Sequence, residues 1–241
     1  MIRVAKRLLR TLGIEVKKYL PSRSEAAQTI HLLRSHRINV VFDVGANTGQ
    51  YGHFLRDAGY RGRIVSFEPL AAAHAQLVAA AKSDPLWEIA PRMALSDASG
   101  EAEMNVAGNS TSSSLLGMTE IHLAAAPFAA YRGTEHVRLE RFDAIAGTYL
   151  DNGSRGYLKI DAQGYEDRVL AGAQTLIEQV QGLQLELSLA QLYKDQPLFD
   201  EMYRRVRDLG FELHAIFPEF YDQKSGRLLQ FNGVFFRSRA G

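Results

Sequence analysis

The chain has 241 residues, no cysteine and a formal net charge of +1. Its length suits one sizeable domain with a short extension, and its near-neutral charge provides no general attraction to nucleic acid, so no nucleic-acid partner is expected. Without cysteine the chain can form neither disulfides nor thiolate metal sites, and it has no cysteine nucleophile.

The first residues are basic. Residues 3–19 carry six lysines or arginines and a single acid. We interpret residues 1–37 as a basic helical extension, whose second helix covers residues 25–36 with Ser24 as its N-cap. Residues 1–20 are expected to contact the domain, a second subunit of a homodimer, or an anionic membrane surface. No apolar run has the roughly 20 residues that span a bilayer and no secretory signal is evident, so a cytoplasmic protein is expected.

Residues 38–241 are predicted to form one domain, in which strands and helices alternate with short links. This alternation predicts an α/β fold with a doubly wound, mostly parallel sheet and helices on both faces. Ligands of such sheets bind at the carboxyl ends of the strands. The predicted strands are 39–45, 62–69, 87–95 (one strand or a pair), 155–161, 180–188, 210–217 and 229–238, and the predicted helices are 49–59, 71–83, 166–179 and 198–209.

The alternation is interrupted at residues 97–154, which show no clear rhythm of strands and helices. Within them, residues 108–117 (GNSTSSSLLG) are polar, which is typical of a flexible loop. Because the insertion follows the carboxyl end of a strand, it should overhang the ligand face. It is interpreted as a lid or substrate wall, or alternatively as a plain surface insertion.

A glycine-containing loop follows the first predicted strand, in the stretch VFDVGANTGQYG at residues 41–52. Gly45 and Gly49 permit positive φ angles and a close approach of a ligand to the backbone. The following helix N-terminus favours a carboxylate or phosphate. Glu68 ends the second predicted strand, where an acid can accept hydrogen bonds from both hydroxyls of a ribose. Together these features predict a nucleoside cofactor site, the alternative being an ordinary tight turn and an unrelated acid.

The loop discriminates between nucleoside cofactors. A dinucleotide site requires Gly-x-Gly-x-x-Gly, which is absent, and Asp43 would repel a pyrophosphate. S-adenosylmethionine matches better, because it has an ammonium and a sulfonium, a carboxylate for the helix N-terminus and a ribose for Glu68.

Five stretches of the chain, in order, resemble the FkbM family of S-adenosylmethionine-dependent methyltransferases: VFDVGANTGQY, VSFEPL, ALSDASGEA, YLKIDAQGYEDRVLAGA and LQLELS. The resemblance covers roughly residues 39–190, and Lys159 to Ala173 is its most specific part. It implies the class I methyltransferase (Rossmann-like) fold, with a seven-stranded, mostly parallel sheet whose last strand is antiparallel. It also implies methyl transfer to oxygen, typically on sugar or polyketide hydroxyls. This chain departs from the family at Gln163, where the family usually has an acid, so no role of that acid is carried over.

The resemblance also implies the cofactor contacts. The first loop would cradle the methionine half of the cofactor, the residues after the second strand would hold ribose and adenine, and those after the third would line the adenine. These residues are Asp43, Gly45, Asn47, Gly49 and Gln50, then Glu68, Pro69 and Leu70, then Ala94, Leu95 and Ser96.

Two further acids, Asp161 and Glu186, are predicted at the ends of neighbouring strands, where their carboxylates would converge on the ligand face. They can cap loops, orient the methionine ammonium, or hold a hard divalent cation such as Mg²⁺ together with the acceptor hydroxyl. Similar sugar O-methyltransferases place acids around magnesium at these strand ends, and the position of this pair resembles theirs. A magnesium site held by Asp161 and Glu186 is therefore expected.

A general base would assist, because a sugar hydroxyl is a poor nucleophile while it is protonated. His122, His136 and His214 are candidates, and each is otherwise a surface or capping histidine. His122 and His136 rank ahead, since both lie in the insertion that should overhang the site. The expected acceptor is a sugar, an oligosaccharide or polysaccharide, or a glycosylated natural product. The alternatives are an oxidoreductase with a nucleotide cofactor, and a module that binds S-adenosylmethionine without catalysis.

Overall fold

The fold is known from a computed structural model. The structure describes residue 9 and residues 11–14, 16 and 18–237. The basic stretch at residues 1–20 therefore falls mostly outside the described residues, and its contact with a membrane or a second subunit stays a prediction. Among the helices of the described part, none is long and apolar enough to cross a membrane.

Seven strands form the main sheet, in the spatial order β3-β2-β1-β7-β8-β10-β9. The first five in this order run parallel, whereas the last strand along the chain, β10, is antiparallel to both of its neighbours. This confirms the predicted mostly parallel sheet with an antiparallel last strand. The seven strands are β1 (Val40–Val44), β2 (Arg63–Phe67), β3 (Trp87–Ile89), β7 (Gly156–Ile160), β8 (Val180–Ser188), β9 (Phe211–Tyr221) and β10 (Leu228–Arg237).

Helices cover both faces of this sheet, as the alternation predicts. Strand β1 shows the reason, because it is buried along its whole length and its side chains alternate between two apolar cores. Phe42 packs with the core that contains α6 and α7, and Val41 with the core that contains α1, α2 and α3. The helices are α1 (Glu25–Ser35), α2 (Gln50–Ala58), α3 (Ala71–Ala81), α4 (Glu120–Ala125), α5 (Phe142–Ile145), α6 (Glu166–Ala171) and α7 (Phe199–Asp208).

The caps of two helices follow the sequence. Ser24 caps α1 by accepting a hydrogen bond from the backbone N–H of Ala27 at 3.4 Å. Gly59 ends α2 in the left-handed conformation, with φ at 99°. The predicted helix at 166–179, by contrast, is wrong in its second half, because α6 ends before Gly172. A Cβ there would lie 2.0 Å from the carbonyl oxygen of Ser96, so glycine is required where the chain passes that backbone.

A second, three-stranded sheet occupies much of the region in which no rhythm was expected. Its order is β4 (Ala94–Ser96), β6 (Tyr131–Arg141) and β5 (Gly100–Ala107). The predicted strand at 87–95 is therefore a pair, split between two sheets. The small sheet packs through Val137 onto Leu70 and Ala73 at the start of α3, which places it beside the carboxyl ends of the main sheet.

Candidate active site

One cavity, with a volume of about 530 Å³, opens at the carboxyl ends of β1, β2 and β7. Its size is within the range of small-molecule sites. The insertion forms one wall, through residues 109–113 and Phe128 among others. The predicted overhang is thus seen, whereas movement of this wall as a lid stays a prediction.

The loop after β1 reaches the cavity through an unusual backbone. Gly45 has a φ of 74°, and a Cβ on it would lie 1.9 Å from the carbonyl oxygen of Asp161. Asn47 also has a positive φ, of 47°, and Gly49 one of 97° where α2 begins. The loop's own N–H groups are paired within the protein: those of Gly45 and Ala46 donate to the carbonyl oxygen of Phe67, and that of Gly49 donates to the carbonyl oxygen of Ala46. The N–H groups that a ligand can use are therefore those of the first turn of α2.

Glu68 fixes this loop from the end of β2. One carboxylate oxygen accepts the N–H of Asn47 at 2.9 Å, and the other accepts the N–H of Leu70 at 2.8 Å. Burial raises the pKa of Glu68 to about 7, against the effect of these hydrogen bonds. Each oxygen retains a second lone pair, so the carboxylate can still accept hydrogen bonds from a ligand in the cavity.

Most of the predicted cofactor residues line the cavity, but three do not. The side chain of Asp43 is fully buried behind the loop, Gly49 packs against Trp87 and Leu77, and Ser96 is buried near Tyr165. For these three residues, the predicted direct contact with the cofactor has to be corrected. The structure gives them positions that support the site instead. The predicted residues that line the cavity are Gly45, Asn47, Gln50, Glu68, Pro69, Leu70, Ala94 and Leu95.

Asp43 instead belongs to a buried ion network. The ammonium of Lys159 lies 2.9 Å from Asp43 and 3.4 Å from Asp161. Burial by itself would lower the pKa of Lys159, but the two carboxylates outweigh burial and raise this pKa above its usual value. Burial raises the pKa of Asp43, and Lys159 opposes this. Lys159 lines the cavity, so it contributes a fixed positive charge beside the glycine loop.

The two acids predicted to converge do so through a third residue. The Nε2 of Gln163 donates to Oδ1 of Asp161 at 2.6 Å and to Oε2 of Glu186 at 2.9 Å. Oε2 of Glu186 also accepts from Gln230 at 3.0 Å. Both acids line the cavity, so they are available to a ligand.

Glu186 is the more perturbed of the two acids. It is buried, and burial followed by the charges of Asp161, Glu166 and Glu219 raises its pKa well above the usual value. Its Oε1 has no hydrogen-bond partner among the described residues. A cavity carboxylate with a raised pKa and an unpaired oxygen can accept a proton from a ligand hydroxyl.

The two higher-ranked candidate histidines differ. His122 lines the cavity, and burial lowers its pKa to about 4. Its ring packs against Tyr193 at a centroid distance of 5.1 Å, and among the described residues its Nδ1 has no hydrogen-bond partner. His136 lies on β6 with its side chain 80% exposed beside Glu103, outside the cavity lining. The prediction that His136 reaches the ligand face is therefore wrong, because the alternation of β6 points it to solvent.

A family model now adds an observation independent of this geometry. The model described as the methyltransferase FkbM domain matches residues 43–213, well over half of the chain. The chain belongs to the FkbM methyltransferase family. It is thus an S-adenosylmethionine-dependent methyltransferase, and the sheet described above is that of the class I fold. Family membership favours methyl transfer over the oxidoreductase alternative. A search of curated proteins finds no match.

Solved structures of other proteins are similar to this FkbM methyltransferase at low identity. TehB from Haemophilus influenzae has a TM-score of 0.45 and 9% identity, over 88% of this chain and 62% of TehB. The methyltransferase domain of bacterial CtHen1 has a TM-score of 0.45 and 10% identity, over 88% and 96%. Aeropyrum pernix fibrillarin, with natively bound S-adenosylmethionine, has a TM-score of 0.46 and 10% identity, over 82% and 66%. The chain thus spans less than two thirds of TehB.

The predicted magnesium site does not fit the residues of this methyltransferase. Between Asp161 and Glu186, where a cation would bind, lies a hydrogen-bond donor, the Nε2 of Gln163. In the part of the chain that the structure describes, no three histidines, cysteines or acids are grouped so that they could hold a metal ion. No catalytic step is therefore assigned to a metal.

Sequence reasoning missed several residues of the FkbM site. Lys159 belongs to the most specific motif, yet only its ion pairs reveal its role. Tyr193 and Ser114 come from distant segments, and donate to Oε1 and to the backbone oxygen of Gln163 at 2.6 and 2.7 Å. Ser110 joins the insertion to the cofactor loop by accepting from Asn47 at 3.2 Å. No spacing in the sequence could have identified these three.

Proposed function

We propose that this FkbM protein transfers the methyl group of S-adenosylmethionine to a hydroxyl group, most fittingly one of a sugar or oligosaccharide. A single observation carries the proposal: the glycine loop, Glu68 and the Asp161–Glu186 pair all face one cavity. A cofactor site and a basic carboxylate are therefore within reach of the same ligand.

The loop side of the cavity matches the cofactor. The N-terminus of α2 and the ammonium of Lys159 suit the carboxylate of the methionine part. Glu68 suits the ribose hydroxyls, and Leu70 and Leu95 offer an apolar surface for adenine. Asp161, which is 34% exposed, can pair with the methionine ammonium.

On the other side of the cavity, Glu186 is proposed as the general base. S-adenosylmethionine supplies an electrophilic methyl group when it is bound. Glu186 would take the hydroxyl proton on its unpaired Oε1 as the acceptor oxygen forms its new bond to the methyl carbon and the bond between that carbon and the sulfur breaks, which leaves S-adenosylhomocysteine. Gln163 and Gln230 hold the other oxygen of Glu186, so the carboxylate keeps its orientation. His122, with a pKa of about 4, is the weaker base and is better suited to position the acceptor.

The remaining lining supports a hydroxyl-rich acceptor. One wall carries side-chain hydroxyls and amides, which pair with sugar hydroxyls. Phe128 and Phe220 add apolar surface of the kind on which a sugar ring can pack. The polar lining residues are Asn109, Ser110, Thr111, Ser112 and Ser113 in the insertion, with Gln230 and Asn232 on β10.

The test is incubation of the purified chain with S-adenosylmethionine labelled in its methyl group and a library of sugars, oligosaccharides and glycosylated natural products. Mass spectrometry should find a product heavier by one methyl group, attached through oxygen. Transfer to nitrogen only would contradict the oxygen assignment. Binding of the cofactor with no transfer to any acceptor would instead favour the non-catalytic module.

A further inference from the structure

Gln163 lies where two carboxylates would otherwise face each other. Its Nε2 is 2.6 Å from Asp161 and 2.9 Å from Glu186. An amide nitrogen has two hydrogens, so it can give one to each acid. Two carboxylates that converge on one point are otherwise a common setting for a hard divalent cation. The neutral amide thus links the two acids at the position where a cation would otherwise link them.

The orientation of this amide is set from its other end. The hydroxyl of Tyr193 donates to Oε1 of Gln163 at 2.6 Å. If the amide were reversed, its oxygen would face both carboxylates and lone pairs would oppose one another. The hydrogen-bond network therefore selects the nitrogen as the atom between the acids.

The backbone of Gln163 is held in an unfavourable conformation. Its φ is 53°, in the left-handed region that non-glycine residues rarely adopt. Ser114 holds its carbonyl oxygen, while Glu166 accepts the backbone N–H groups of Ala162 and Gly164 on either side. Such strain persists only where surrounding contacts over-determine it, and it is common at functional sites. The turn is thus built to present this side chain.

We propose that the amide of Gln163 replaces a divalent cation as the bridge between Asp161 and Glu186, so that this methyltransferase needs no metal, and that Gln163→Glu would create a cation site. Gln163 is then a positioning residue, since it acts through Glu186. The statement about catalysis rests on the proposed function, whereas the statement about cation binding does not.

The neutral bridge has a consequence for Glu186. A divalent cation would draw electron density from the carboxylate and weaken it as a base. An amide aligns the carboxylate without neutralising its charge. Glu186 therefore keeps the proton affinity that removal of a hydroxyl proton requires.

The first test is titration with Mn²⁺, followed by electron paramagnetic resonance. Wild type should show no saturable site below about 1 mM, the weak end of protein sites for hard cations. Gln163→Glu should bind Mn²⁺ at least about tenfold more tightly, because it brings a third carboxylate to the same point. The matched control is Gln184→Glu, since Gln184 lines the same cavity but accepts from Tyr51 and Tyr157. It should bind no better than wild type.

The second test is methyl transfer after exhaustive chelation, with the acceptor found in the library screen. Wild-type activity should be unchanged, and Gln163→Met, which keeps the length but has no N–H, should lower kcat while affinity for S-adenosylhomocysteine is kept. A structural role alone would lower both. Because Gln163→Glu adds a third carboxylate to the site, its melting temperature is measured alongside, and the wild-type titration stands independently of it.

Three outcomes would overturn the proposal. One is a wild-type Mn²⁺ site of micromolar affinity that Asp161→Asn removes. Another is activity lost on chelation and restored by Mg²⁺. The third is a folded Gln163→Glu that binds Mn²⁺ no better than Gln184→Glu. If wild type methylates no hydroxyl at all, the proposed function fails, and the Mn²⁺ titrations still decide whether Gln163 occupies a cation position.

Discussion

The two sides of the cavity are built in different ways. On the side of the proposed cofactor, the backbone of one loop and one acid, Glu68, which is 21 residues after Asn47, form the site, and the glycines of the loop mark it in the sequence. On the acceptor side, Gln163 depends on Tyr193 and Ser114, which are 30 and 49 residues away. A site made of backbone conformation thus leaves a local pattern in the sequence, whereas a site made of long-range side-chain contacts does not.

The largest effect should come from the acceptor side. Glu186→Gln keeps the shape of the side chain but removes the base, so kcat should fall by about 10²–10⁴-fold. Affinity for S-adenosylhomocysteine, measured by calorimetry, should be nearly unchanged. His136→Ala is the control, because that exposed side chain lies outside the cavity. A fall in kcat of less than about tenfold for Glu186→Gln would show that Glu186 is not the general base.

The same base predicts a pH dependence. Since burial raises the pKa of Glu186 above its usual value, its carboxylate gains a proton, and loses function, at a higher pH than an ordinary glutamate does. The kcat should fall as pH falls through this raised pKa and level off above it. A kcat that stays flat from neutral pH down to the ordinary glutamate range would contradict the assignment.

The next-largest effect is expected from a substitution that disturbs the backbone of the glycine loop. Gly45→Ala forces a side chain into a φ of 74° and within 1.9 Å of a carbonyl oxygen. We expect a loss of about 2–4 kcal/mol in the free energy of unfolding, measured with urea. Gly133→Ala is the matched control, because a Cβ there meets nothing within 4 Å. Equal stability of the two variants would show that the loop can relax.

A somewhat smaller effect is expected when the acid of the cofactor side is removed. Glu68→Ala should weaken the binding of S-adenosylhomocysteine by about 1.5–3 kcal/mol, because hydrogen bonds between a charged group and the ribose are lost. Calorimetry measures this affinity, and Glu101→Ala, at an exposed position of β5, is the control. Unchanged affinity in Glu68→Ala would mean that Glu68 only supports the loop.

The smallest effect concerns stability and pH. The pKa of His122 is about 4 in the folded chain and 6.5 as its ordinary value, so the unfolded chain binds the proton first as pH falls. The contribution of His122 to stability is full above 6.5 and is lost between 6.5 and about 4. His122→Gln should therefore flatten the fall in unfolding free energy over this range. Parallel curves for the two proteins would refute the burial of a neutral imidazole.

These contrasts also explain what the sequence could predict. Strand β1, the loop and α2 were predictable, because continuous burial and glycine positions act locally. Strands β5 and β6 were not predicted, although their apolar residues alternate with polar ones, a pattern typical of half-exposed strands. Met104, Val106, Val137 and Leu139 follow this alternation and pack together. Gln163 stood out in the sequence only as a departure from the family pattern. Its bridging role required Tyr193, Ser114 and Glu186 to meet in the fold.

A crystal structure with S-adenosylhomocysteine would test the central claim, that cofactor and base share one cavity, most directly. We expect the ribose hydroxyls to lie within hydrogen-bond distance of Glu68. The carboxylate should lie at the N-terminus of α2, and the sulfur should face the side of the cavity that holds Glu186. Binding of S-adenosylhomocysteine elsewhere, or with its sulfur turned away from Glu186, would contradict it.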